Sequence, residues 1–321
     1  MADGKPDSRG SGFDALPLSL VRKPTSTGSN LGHRGNRWSR RKIRLVFALS
    51  LIGLCLATGV WLTYGYVWRI PASSSDAHHR AAVIDALSLT YADPYFMQNV
   101  TESLRSSGYS VDYYSPDQVT VELFRSLPGR DYGLIIIRSH TASSAGIITG
   151  ESYSQNRYVY EQVSDQLVRG VVPLSGQTYF AVEAGFVGSE MHGRFPDSTI
   201  VLMGCGGLEG SHKLAEAFID KGARFFVGWT SSVSAAQTDI TSSVLIHEIT
   251  HGGTVIQAVH LAAQYPDPYY NSHLSYLSWD EVSGQQLDMF LYALTSWSII
   301  AVLLVFGPAL VILIPKILSK R

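Results

Sequence analysis

Between residues 79 and 270 the chain alternates fully apolar runs with segments that are apolar on one side only. Short apolar runs bounded by turn residues read as buried strands, and apolar positions at i, i+4, i+8 read as helices. Residues 81–87 (AAVIDAL), 109–114, 132–139, 199–203 and 223–229 are strands on this basis. Asp93-Pro94 starts a helix, with Asp as cap and Pro in the first helical position; Phe96, Val100 and Leu104 share one face, and Gly108 ends it. A second helix covers residues 119–127 and stops at Pro128-Gly129. Residues 141–170 are polar and read as a loop with a short helix over 161–168, and 179–187 as a strand or hairpin. Ser211 caps a helix with Leu214, Ala215, Phe218 and Ile219 on its apolar side; two more helices cover 241–250 and 254–263, and a connector follows over 264–286. Strand, helix, strand, helix, strand predicts a mainly parallel sheet with right-handed crossovers, hence an α/β domain in three layers.

Two further stretches are uniformly apolar. Residues 45–64 and 290–314 carry no charge, and each is long enough to cross a bilayer. They predict transmembrane helices over 45–67 and 289–315. The first is too long for the core of a cleaved signal peptide, and no small-residue cleavage site follows it closely. The net charge of −1 conceals an asymmetry. Residues 1–44 are rich in Lys and Arg, residues 316–321 add three more, and acids outnumber bases about two to one between the spans. Basic flanks stay in the cytoplasm. The expectation is a two-span cell-membrane protein with both termini cytoplasmic. Residues 1–44 form a disordered basic tail that meets anionic lipid, residues 72–286 an extracytoplasmic α/β domain, and residues 316–321 a short cytoplasmic tail. Beyond charge, nothing points to nucleic acid.

The chemistry concentrates at two strand ends. LIIIRSH closes on His140, and TIVLMGC closes on Cys205, the one cysteine outside the apolar spans. In parallel sheets, functional groups sit beyond the carboxyl ends of strands. A thiol attacks a carbonyl as thiolate, and a nearby imidazole takes and returns the proton. Gly204, Gly206 and Gly207 let a substrate approach the backbone, and the Cys205 N–H can face an oxyanion. Spacing alone leaves this reading level with a buried, inert cysteine and a satisfied histidine.

At these residues the chain resembles the caspase-like cysteine peptidase superfamily, whose members include caspases, legumains, gingipains, separases and CHAT domains. An apolar strand leading to His and a later one leading to Cys are its pattern. The similarity continues through LAEAF (214–218), KGARFFVG (221–228) and GTVIQAV (253–259), and spans about residues 81–263. The resemblance implies a three-layer caspase-like fold, cleavage of polypeptides by a His140/Cys205 dyad, and no cofactor. It also implies an oxyanion hole from the backbone N–H groups of Cys205 and of the residue after the histidine. That residue is Thr141, where the family usually has Gly, and Gly204 stands where it often has Ala. Trp229, Glu183, Glu209 and Asp239 are candidates for the substrate cleft.

A competing pattern is His247-Glu248-Ile-Thr-His251, the H-E-x-x-H arrangement in which two histidines one turn apart bind zinc and the glutamate activates water. Gly252-Gly253 breaks the helix directly afterwards, and the nearest downstream glutamate is Glu281. The alternatives are therefore a zinc peptidase on His247, Glu248 and His251, or a catalytically inactive binding or sensor domain.

Overall fold

The computed structural model describes residues 79–289, except 143–145 and 174, together with residues 47, 48, 50, 51, 53–55, 58 and 292. The basic tail, most of both expected spans and the last six residues lie outside the described residues. The chain divides into two units, Met1–Gly59 and Val60–Arg321. The described part of the first is helical, with the Thr58 hydroxyl donating back to the Leu54 and Cys55 carbonyls. Among the described residues no helix is long and apolar enough to cross a membrane.

In the second unit the expected strands form. They are β1 (Arg80–Asp85), β2 (Ser110–Tyr114), β3 (Leu134–Arg138), β7 (Thr199–Leu202) and β8 (Phe225–Trp229). With β9 (Leu274–Ser278) they make a six-stranded sheet in the order β2-β1-β3-β7-β8-β9. All pairs are parallel except β8 with β9. A second, antiparallel sheet, β4-β6-β5, is inserted between β3 and β7; it comprises β4 (Ile147–Ser152), β5 (Leu167–Val171) and β6 (Thr178–Val182).

Side chains alternate across a strand, so each strand feeds two cores. Ile135, Ile137, Ile200, Leu202 and Phe226 face one side. There they meet α2 (Val121–Ser126), α4 (Ala184–Ser189) and α5 (Lys213–Asp220). Leu134, Ile136, Val201, Met203 and Val227 face the other. There they meet α1 (Pro94–Ser106), α6 (Ala235–Thr250) and α7 (Val255–Ala262). Both faces are covered, which is why these strands read as continuous apolar runs. Burying each such isoleucine or leucine contributes about 1.5–3 kcal/mol.

Local signals act where they were read. Asp93 accepts from the Phe96 amide at 2.9 Å and caps α1, and Thr254 caps α7 in a reciprocal box with Gln257. Several expectations need correction. Ser211 is not a cap: α5 starts from His212, with no side-chain cap bond. α6 begins six residues before the expected 241, because Ser234 accepts from the Gln237 amide. The short helix is α3 (Val159–Val163), and residues 167–171 are strand. Residues 184–189 turn helical after β6, and the connector contains β9.

Candidate active site

Ile137 on β3 pairs with Leu202 on β7. Counting three residues on from each reaches His140 and Cys205, so both stand at the carboxyl edge on neighbouring parallel strands. The strand ends approach closely. A Cβ on Gly204 would lie 2.7 Å from the Ser139 carbonyl oxygen and 2.8 Å from Thr141 Cγ2, so a side chain there would force them apart. The Thr141 hydroxyl then donates to the Cys205 carbonyl at 2.7 Å, tying the residue after the histidine to the cysteine itself.

The histidine segment is fixed to the inserted sheet. The Ile148 amide donates to the His140 carbonyl at 3.0 Å, and the Ala142 amide to the Gly146 carbonyl at 2.7 Å. This bridge uses the amides on either side of the Thr141–Ile147 pair and leaves the Thr141 amide outside its bonds. The cysteine loop is fixed to the segment after β8: the Gly206 amide donates to Ser231, and that of Leu208 to Trp229. Gly206 has φ +62°, the left-handed turn that takes the chain away behind Cys205.

His140 and Cys205 are both half-buried, and among the described residues no hydrogen bond joins them. The Thr90 hydroxyl lies 2.7 Å from His140 Nε2 and 3.4 Å from the Leu87 carbonyl. With the hydroxyl proton on Leu87, Nε2 is the donor and Nδ1 keeps its lone pair; with that proton on Nε2, the two ring nitrogens exchange roles. Burial, with the nearby Arg138 charge, holds the imidazole below its ordinary pKa, which favours the neutral form a general base requires. The thiol meets the main chain of Val233, accepting from its amide at 3.4 Å and donating to its carbonyl at 3.5 Å. Val233 precedes the Ser234 cap of α6. The buried Asp267 secures that cap, accepting from the Ser234 amide and hydroxyl at 2.8 Å each. Burial works to raise the Asp267 carboxyl, and its bonds from Ser234, Tyr270 and Tyr269 outweigh this and lower it.

Beneath His140 lies a charged cluster absent from the expectations. Arg138 is wholly buried; its Nε and one terminal nitrogen grip Asp239 at 2.8 and 2.7 Å, and the other terminal nitrogen reaches Asp85 at 2.9 Å. Its sequence signals were a charge inside each of two apolar runs, IIIRS and AVIDA, since buried charges require partners. Thr90 had one signal, its position in the loop after a parallel strand.

The expected cleft residues divide. Trp229 is fully enclosed in the core below α6, with its indole N–H on Thr238 at 2.9 Å, and lines no cleft. Asp239 is buried against Arg138, and desolvation raises its carboxyl pKa against the pull of that arginine. Both residues, expected at the cleft, lie in the interior. Glu209 is exposed, and a Cβ on Gly206 would come within 2.7 Å of its Oε2, so this carboxylate lies over the residue after Cys205. Glu183 places a carboxylate oxygen against Gly146, at the base of the loop that follows His140.

The H-E-x-x-H residues lie elsewhere. α1 leaves the carboxyl edge and runs back to the amino edge, where Ser103 meets Thr250 at 3.0 Å. α6 has 16 residues and spans about 24 Å, so its last turn is far from Cys205. There the His247 and His251 rings stack at 3.9 Å, and His251 Nδ1 bonds the His247 carbonyl at 2.7 Å. Glu281 accepts from the Ser278 amide and hydroxyl at 2.9 Å. No group of three or more His, Cys, Asp or Glu that could hold a metal occurs among the described residues. Among the described residues no third ligand stands beside His247 and His251, where a zinc site takes three or four protein ligands.

No protein-family model matches the sequence, and no curated protein matches it.

Proposed function

We propose that this chain is a cysteine peptidase of caspase-like architecture, acting on polypeptides through Cys205 and His140. The observation that carries this reading is their equivalent position, three residues past the Ile137–Leu202 pair on adjacent parallel strands. Helices on both faces of a mainly parallel sheet, with both residues at its carboxyl edge, agree with the three-layer arrangement of that superfamily. The uncharged segments 45–67 and 289–315 would anchor the domain in the cell membrane, facing outward.

In this reading His140 takes the Sγ proton as Cys205 leaves the Val233 carbonyl and attacks the scissile carbonyl carbon. The oxyanion forms against the amides of Cys205 and Thr141. Collapse breaks the C–N bond, the amine leaves with the proton returned by His140, and a thioester remains. Water, deprotonated by His140, releases the acid and restores the thiol. No metal or cofactor enters these steps. Incubating the full-length protein with a peptide library, beside Cys205→Ala, tests the reading; equal cleavage by both would overturn it.

A second reading is a catalytically silent outward-facing domain. It is favoured by the separate engagement of the two groups, imidazole on Thr90 and thiol on Val233. No cleavage of any library peptide, with a thiol inert to small electrophiles, would establish it.

A further inference from the structure

We infer that Arg138 is the positioning residue that couples the two halves of the site, the loop holding His140 and the helix start holding Cys205. The inference rests on the proposed roles of those two residues. A guanidinium has five N–H donors. In Arg138 they meet Asp239 Oδ1 and Oδ2, Asp85 Oδ1, the Ser88 hydroxyl and the Tyr91 carbonyl. These acceptors belong to α6, to the end of β1 and to the loop after β1. Asp85 and Arg138 are themselves register partners on β1 and β3. The Tyr91 and Phe96 rings lie 5.7 and 5.6 Å from the guanidinium carbon and close it off.

Each arm leads to one reacting group. Ser88 and Tyr91 bracket Thr90, whose hydroxyl meets His140 Nε2 at 2.7 Å. Asp85 strengthens the same loop by accepting from the amide and hydroxyl of Ser88. Asp239 lies in the opening turns of α6, just after the Val233–Ser234 segment that receives the thiol. A shift of either element would be felt by the other through one rigid, planar side chain.

Stability alone does not account for the cluster. Well-packed apolar residues of equal volume often hold a core as well as a buried ion network, because burying charges strips them of water. What apolar residues lack is directional bonding to three elements at once. Lysine lacks it too, having three donors on a point charge.

The test uses the full-length protein and the variants Arg138→Lys, Asp239→Asn, Thr90→Val and Ser234→Ala. Three quantities are read: the melting transition, the titration of His140 followed by its imidazole proton resonances, and the rate of Cys205 alkylation by iodoacetamide across pH. Thr90→Val is expected to shift the His140 titration, since the imidazole loses its hydroxyl partner, and to leave alkylation near that of the unaltered protein. Ser234→Ala is expected to change alkylation alone. Arg138→Lys is expected to melt cooperatively yet change both, with alkylation at neutral pH altered about tenfold. If Arg138→Lys folds and both readouts match the unaltered protein, its role is structural and the inference is overturned. Should Arg138→Lys not fold, Asp239→Asn keeps the shape of its carboxylate and is judged by the same two readouts. A separate His140→Gln variant isolates the underlying reading. If it cleaves peptide as fast as the unaltered protein, the dyad fails, while titration and alkylation still decide the coupling.

Discussion

The Cys205 sulfur rests between the amide and carbonyl of a single residue, Val233, at 3.4 and 3.5 Å. Val233 directly precedes the cap of α6, so the main chain that opens this helix holds the thiol. Replacing Cys205 by Ala is expected to abolish peptide hydrolysis, with a loss of about a thousandfold or more, and to leave the melting transition nearly unchanged. Turnover and calorimetry on the same preparation check both halves.

The acid limb of activity should lie below the ordinary imidazole range. Burial of His140, with the Arg138 charge, lowers its pKa from 6.5. At a pH between the folded value and 6.5 the unfolded chain binds the extra proton, so the folded state loses stability as pH falls through that window. Both the kcat/KM profile and urea unfolding at stepped pH report on this. An activity limb at or above the ordinary range would show that His140 is solvated in the working enzyme.

Thr141→Val removes the hydroxyl bond to the Cys205 carbonyl and keeps the backbone amide in place. Stability should fall by about 1 kcal/mol in chemical denaturation. Turnover should stay within about tenfold, because in the proposed mechanism the amide, and not the hydroxyl, meets the oxyanion.

Asp239→Ala leaves Arg138 half-paired inside the protein. A loss of about 3–5 kcal/mol follows from stranding a buried charge. Equilibrium unfolding measures it, and a loss below about 1 kcal/mol would mean that Asp85 alone satisfies the arginine.

Chelation should change neither melting nor turnover. His247→Ala and His251→Ala alter exposed positions on the last turn and cap of α6, and each should shift stability by no more than about 0.5 kcal/mol. Activity that vanishes with chelator and returns with zinc would reinstate the metal reading.

The parts of this fold legible in the sequence were those where one physical signal dominates. β1, β3, β7 and β8 are buried on both faces and show as short, mainly apolar runs. α1 has a capping aspartate, a proline and a terminal glycine, and it forms where these place it. His140 and Cys205 were legible because each ends such a run. Of the inserted sheet only β6 was, within the strand or hairpin expected at 179–187; β4 and β5 are half-exposed strands carrying glycines that neither alternation nor propensity marks. β9 was hidden in a connector rich in Ser and Tyr, since its stability comes from pairing with β8 rather than from its own composition. Trp229 and Asp239 went astray for a shared reason. Nearness to a strand end or helix start says how far along an element a residue lies, whereas orientation decides whether it meets substrate or core. The link from Arg138 to Thr90 joins residues 48 positions apart through a loop carbonyl and a serine hydroxyl, and no spacing rule reaches it.

Thr141 and Cys205 meet across 64 residues of chain, and the three-stranded insert lies within that interval. Closing so long an interval costs entropy before any contact returns it, and sheets built from such distant pairings assemble slowly. The insert can order locally first, since β4, β5 and β6 are neighbours in sequence. That order would bring His140 and Cys205 together late in folding. On the proposed dyad, an incompletely folded chain would carry the thiol without its base, and reactivity toward polypeptide would arrive only with the finished sheet.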